Sequence, residues 1–288
     1  VEIDSPGTPK LDELVQASKE TGVAVHGIID SVHWRDTLSS PDEKVRAKGL
    51  AALESALRDA KLVGADTVLL VPGVVSKDVT YQECWDRSRA EVQKVLPLAE
   101  KLKVKIAIEV VWNDFITKPE QLVEYVDSFK SEYVGAYFDV SNMVKYGVPP
   151  AEWIRKLGKR MLKFDFKGYS NAKKWVGIGE GDEDWPAVLK ALAEIGYDGW
   201  ATAEVGGGGF GDRERHREDR IGPETCLVRR AVEVDDLGQT ELLALVQVQR
   251  AGQPRRERNH RTCTARADRE VDGCTGVHEI VPGPALGQ

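Results

Sequence analysis

The sequence predicts an α/β protein folded as a parallel (β/α)8-type barrel, and three observations point there. Short β-branched runs alternate with amphipathic helical stretches along most of the chain, the pattern of a parallel sheet with right-handed crossovers. Within the run Val104–Asn113 (VKIAIEVVWN), Val104, Ile106 and Ile108 share one face while Lys105, Ala107 and Glu109 share the other. An apolar outer face over a small or polar inner face is what a barrel strand wrapped by helices needs. Finally, acids stand at or near the carboxyl ends of four such runs: Glu109, Asp139 in VGAYFD, Asp165 in LKFDF and Glu204 in WATAE. Four acids at four strand ends suggest one site.

Taken in order, Val1–Ile3 reads as the end of a strand and Pro9–Thr21 as a helix closed by Gly22. Val23–Ile29 is a β-branched strand, followed by the loop DSVHWRDTLSSPDE and a long helix from about Pro41 to Val63. Thr67–Val71 is the next strand and Tyr81–Leu102 the next helix. The Glu109 strand leads to a helix at Pro119–Phe129, the Asp139 strand to one at Pro150–Leu157 and the Asp165 strand to one at Trp185–Ile195, with Asp184 as its N-cap. The Glu204 strand closes a series of seven.

A closed barrel wants eight strands, so the expectation is an incomplete barrel that lacks a first βα unit and a last helix. Composition changes near the glycine run Gly206–Gly209. Up to Phe210 the chain holds twenty Lys and seven Arg; from Gly211 onward it holds thirteen Arg, no Lys and no aromatic residue. Residues 1–215 are therefore read as the barrel, and residues 216–288 as an atypical, poorly ordered tail that did not evolve as its continuation. Such a tail is expected to leave the edges at Val1–Ile3 and Trp200–Glu204 unpaired. Its best apolar run is Glu241–Val248.

Composition excludes several function classes. A formal net charge of −7 leaves no basic footprint for nucleic acid over the barrel. No apolar run approaches the roughly 18 to 20 residues of a membrane span. The four cysteines lack CxxC spacing and are few for a secreted disulfide framework, which favours a reducing cytoplasm. A homo-oligomer is compatible with all of this.

The stretches HGIIDSVHWRDTLSSPD, DAKLVGADTVLLVPG, KIAIEVVWNDF, YFDVSNMVKYG, KFDFKGYS and GEGDEDWPAVLKALAEIGYDGWATAE, in this order, resemble the sugar phosphate isomerase/epimerase family with a xylose-isomerase-like TIM barrel. The resemblance implies a divalent metal held at four strand ends, here by Glu109, Asp139, Asp165 and Glu204, and a small sugar or sugar phosphate as substrate. The departure is Asp165, where the better-known epimerases carry His in a motif like HxKD; Lys167 keeps the lysine, but Gly168 stands at the acid position. The implied reaction moves a proton next to a ketose carbonyl through an enediolate. The alternative on the same barrel is a sugar-acid dehydratase or another metal-dependent lyase or hydrolase.

The residues agree with that chemistry. A carbon-bound proton beside a carbonyl needs a base on one face, an acid or base for its return and a cation for the developing charge. Glu109 and Glu204 are the candidate proton carriers. Four carboxylates without histidine form a hard oxygen site, which favours Mg²⁺ or Mn²⁺ over Zn²⁺. A single acid at a strand end is more often a helix cap or a surface charge, and the weight here comes from the four together. Candidate substrate contacts are His33 in a loop on the catalytic side, Asn113, Asn142 and Lys167, with Trp112 read either as a stacking wall or as plain packing. His26, mid-strand, reads as a core residue. Alternation sends both Lys163 and Lys167 inward beside Asp165.

Overall fold

The computed structural model describes residues 1–7, 10–205 and 224–229. The chain divides into two units, Val1–Gln249 and Arg250–Gln288, and every described residue lies in the first.

The described residues form ten strands, seven of them parallel and alternating with helices: β1 (Glu2–Ser5), α1 (Leu11–Thr21), β2 (Gly27–Asp30), α2 (Glu43–Val63), β3 (Thr67–Leu70), α3 (Tyr81–Leu102), β4 (Lys105–Glu109), α4 (Pro119–Asp127), β5 (Val134–Asp139), α5 (Val140–Val144), α6 (Pro150–Leu157), β6 (Met161–Phe166), the small strands β7 (Gly168–Ser170) and β8 (Lys174–Val176), α7 (Trp185–Glu194), β9 (Trp200–Val205) and the antiparallel β10 (Glu224–Arg229). The sheet order is β1-β2-β3-β4-β5-β6-β9-β10, parallel throughout except for β10, and β7 and β8 form a separate antiparallel hairpin. Local signals explain the helix starts. Asp42 caps α2, Thr80 and Glu83 form a reciprocal capping box on α3, and Asp184 accepts from Ala187 at the start of α7.

The sheet curls into a half-barrel because its outer face is continuously apolar and its inner face is not. Val104, Ile106 and Ile108, as read from the sequence, belong to the main hydrophobic core beneath the helices. Inside, Ala107, Leu69 and Tyr137 form a second, small cluster. The curl is shown by strands distant in the sheet order. The Tyr137 hydroxyl on β5 donates to Glu2 of β1 at 2.8 Å and lies 3.0 Å from the Thr202 hydroxyl of β9. Across the same seam His26, just before β2, stacks on Trp200 of β9 with ring centroids 4.6 Å apart.

The structure departs from the sequence reading in four places. The hairpin β7–β8 and the short helix α5 are additional, each too brief to carry a periodicity. Leu162 does not follow strict alternation: the register of β5 and β6 shifts, Ala136 pairing with Met161 and Tyr137 with Lys163, so that Leu162 is the extra residue of a bulge. Leu162 packs against the inner cluster, in space that exists because residue 135 is glycine; a Cβ there would lie 2.5 Å from Leu162 Cγ. The edge of β9 is also not left unpaired. Glu224–Arg229 (ETCLVR) pairs antiparallel along Trp200–Val205, since a bare strand edge is a template of unsatisfied N–H and C=O groups for any nearby β-competent run. The remaining tail, including Glu241–Val248, lies outside the described residues.

Candidate functional site

Glu109, Asp139 and Asp165 end or nearly end the adjacent strands β4, β5 and β6. Register sets Asp139 opposite Asp165, and Glu109 opposite Tyr137, one inward position below Asp139. All three are buried, and each offers a carboxylate oxygen within 4.8 Å of the others. Asp139 Oδ1 is committed locally: it caps α5 by accepting from the backbone N–H groups of Ser141 and Asn142, both at 2.8 Å. Its Oδ2 faces Lys167 Nζ at 2.9 Å. Asp165 Oδ1 is buried with no hydrogen-bond partner among the described residues.

Glu204 stands outside this triad. Its side chain is 54% exposed and pairs with the Lys167 ammonium, which thereby bridges Asp139 and Glu204. The structure thus brings three of the four sequence-predicted acids together and joins the fourth through a lysine. The physical reason is charge: Lys167 is the cation paired with this group of acids, and it inserts where two carboxylates would otherwise face each other.

Electrostatics follow from that crowding. Burial first, then Asp139, Glu204 and Glu2, push Glu109 well above the usual carboxylate range, with Lys167 opposing. Burial, then Asp139, Glu109 and Glu204, do the same to Asp165, and Asp139 is raised by burial and Glu204. For Lys167 burial alone would favour the neutral amine, but Asp139, Asp165 and Glu204 outweigh it and hold the ammonium more firmly than in a free lysine. Three carboxylates that resist ionisation together, one with an orphaned oxygen, fit a divalent cation: its charge would remove the repulsion and its coordination sphere would take up the orphan.

The other sequence candidates are placed as follows. His33 is buried, with Nδ1 accepting the Val71 N–H at 3.4 Å, and burial lowers its pKa to about 4, so the ring is neutral. Asn113 is also buried; its amide donates to Gly73 O at 2.7 Å and accepts from Phe115 N, tying together the loops after β3 and β4. The Asn142 amide reaches Val110 O at 3.4 Å. Trp112 donates its Nε1 to Asn142 O and stacks on Trp175 at 4.9 Å, with Tyr169 edge-on to both rings. Lys167 Nζ lies 5.1 Å from the Trp175 ring centre, so this aromatic group borders the acids. Lys163 also points inward, at the opposite end of the strand, where it meets His26 O and Asp66.

Sequence reasoning missed two neighbours of the site. Trp175 arrives on the unanticipated hairpin. Glu183 is buried, raised by burial, and accepts the Tyr169 N–H at 2.8 Å. The only sequence signal for Glu183 was the acid-rich run GEGDEDW, and the structure uses that run as a clasp: Glu180, Asp182 and Glu183 accept from the backbone of Gly177, Asn171 and Tyr169.

A parallel half-barrel that gathers buried carboxylates at its strand ends defines a barrel protein with an acidic mouth. The chain belongs to the xylose isomerase-like TIM barrel family, whose model matches residues 2–225. Uncharacterized protein MJ1311 of Methanocaldococcus jannaschii is 28% identical over 177 residues, 58% of this chain and 59% of that one. L-ribulose-5-phosphate 3-epimerase UlaE of Salmonella paratyphi A is 26% identical over 191 residues, 65% of this chain and 66% of that one. The chain therefore spans between 59% and 66% of the length of these curated relatives. A solved D-tagatose 3-epimerase-like protein shares the fold with a TM-score of 0.62 at 24% identity, over 70% of this chain and 79% of that one. No helix among the described residues is long and apolar enough to cross a membrane.

Proposed function

We propose that this chain is a metal-dependent sugar or sugar phosphate epimerase or isomerase that moves a proton beside a ketose carbonyl through an enediolate. The observation that carries the reading is the buried triad Glu109, Asp139 and Asp165, drawn from three adjacent parallel strands, with Asp165 Oδ1 unpaired among the described residues. Kinship with a protein named as a 3-epimerase of a ketose phosphate supports the substrate class.

Glu109, Asp139 and Asp165 are the residues that would hold the cation, with Glu204 available as a fourth ligand only on leaving Lys167, and all-oxygen donors suit Mg²⁺ or Mn²⁺. When bound, the cation supplies positive charge for the negative charge that develops on the substrate oxygens. In this reading Glu204, half exposed at the mouth, takes the carbon-bound proton, and Glu109, buried on the far side of Asp139, carries one for its return. Lys167 stays charged and donates to a substrate oxygen. His33, with Nδ1 occupied as an acceptor, carries its proton on Nε2 for a hydroxyl. Asn113 in the loop after β4 and Asn142 on α5 are the amides proposed to meet substrate hydroxyls, and Trp112 with Trp175 walls the aromatic side.

The test is solvent-deuterium exchange into a panel of ketoses and ketose phosphates. Glu204→Gln should keep the fold and lose exchange by about 10² to 10⁴-fold. A Glu204→Gln protein that exchanges at the wild-type rate would remove Glu204 from the proton transfer.

A further inference from the structure

Lys167 is held by its backbone as well as by its charge. The Ser141 hydroxyl donates to Lys167 O at 2.7 Å and accepts from Lys167 N at 3.1 Å, so one buried side chain grips both peptide groups of the same residue. Ser141 is itself fixed by the carboxylate that Lys167 faces, because its own N–H donates to Asp139 Oδ1. Two residues further along, Tyr169 is gripped from the other side: its N–H donates to Glu183 and its carbonyl accepts from Asp182 N at 2.7 Å. Between these grips Gly168 passes so close to the Gly177 carbonyl that a Cβ would collide with it. The turn Lys167–Tyr169 therefore has no slack at its base, whereas the Lys167 side chain is long and rotamer-rich.

We propose that Ser141 and Glu183 are positioning residues for Lys167, Ser141 from α5 and Glu183 from the loop entering α7, which hold its ammonium between Asp139 and Glu204. The role of Lys167 toward substrate rests on the function proposed above; its placement by Ser141 and Glu183 does not. Neither residue needs to touch substrate. Their contribution is to stop Lys167 from withdrawing to the solvent side, where Glu204 is half exposed.

The experiment uses the full chain and needs no substrate. Lysines are acetylated with an N-hydroxysuccinimide ester and the rate at each is followed by peptide mass spectrometry, with exposed Lys145 on the same face as the control. In Glu183→Ala, which loses the hydrogen bond from Tyr169 N, Lys167 should be acetylated about five to tenfold faster than in the wild type, the factor expected for one hydrogen bond, and in Ser141→Ala, which loses both bonds to the Lys167 backbone, by at least that factor, while Lys145 is unchanged. In parallel, the slowly exchanging ¹H–¹⁵N ammonium signal of Lys167, assigned by its loss in Lys167→Arg, should broaden in both variants. Thermal unfolding establishes which variants are folded, and a single folded one suffices. Unchanged Lys167 reactivity in a folded variant, or equal acceleration at Lys145, overturns the proposal. A wild-type chain that exchanges no ketose defeats the functional reading and leaves this result standing.

Discussion

The two ends of the half-barrel interior both bury ionisable groups, and they do so in opposite ways. At the foot, Glu2 is met by the Tyr137 hydroxyl, by Lys163 at 3.9 Å and by neighbouring His26, while Lys163 also reaches Asp66 at 3.0 Å and the His26 carbonyl. At the mouth, Glu109, Asp139 and Asp165 lie within 4.8 Å of one another with Lys167 as their cationic neighbour. The foot approaches charge balance and joins β1, β5, β6 and β9; the mouth carries an excess of negative charge. Buried charge alone does not mark a site. What sets the mouth apart is a cluster of buried acids with too few cations beside them, whose members hold their protons unless added positive charge offsets their repulsion.

The largest expected effect tests the foot. Lys163→Met should cost about 3 to 5 kcal/mol in urea unfolding, since it strands Glu2 as a buried acid without its lysine; a loss below about 1 kcal/mol would show that the foot is not a charge-paired support. At the mouth the sign reverses. Adding Mg²⁺, Mn²⁺ or Zn²⁺ at about 100 times its Kd should stabilise the protein by about 2.7 kcal/mol, and Asp165→Asn should remove most of that gain. A melting temperature indifferent to all three cations would end the view of the mouth as an incomplete cation site. Smaller again is Tyr137→Phe, which removes the phenol shared by Glu2 and Thr202 and should cost about 1 to 3 kcal/mol without changing cation affinity.

The smallest effect is a slope with pH. In the cation-free protein the triad binds protons more tightly folded than unfolded, so its contribution is most favourable below the ordinary carboxylate pKa of about 4 and is lost as pH rises through the elevated folded values. Stability of the wild type relative to Asp165→Asn should therefore fall as pH is raised from about 4, and saturating Mg²⁺ should flatten that difference. A difference that rises with pH in the absence of cation would contradict the crowding.

The alternation of Val104–Glu109 and the order of runs along the chain were sufficient to read seven parallel strands, the inward face of β4 and the strand-end positions of Glu109, Asp139, Asp165 and Glu204, because strand periodicity is a local property of the backbone. The boundaries of α3 and α6, read as Tyr81–Leu102 and Pro150–Leu157, were legible from equally local signals. Only the tertiary structure decided the rest. That Glu204 turns to Lys167 instead of joining the triad depends on which cation is nearest in space. The inward Leu162 depends on a bulge opposite Ala136 and Tyr137, with room left by Gly135, that no single-strand pattern contains. Glu183 and Trp175 reach the site through a clasped hairpin of three-residue strands, too short for any periodicity to announce. Periodicity is written between neighbours in the chain, whereas charge pairing and bulges are settled between residues that meet only after the sheet has curled.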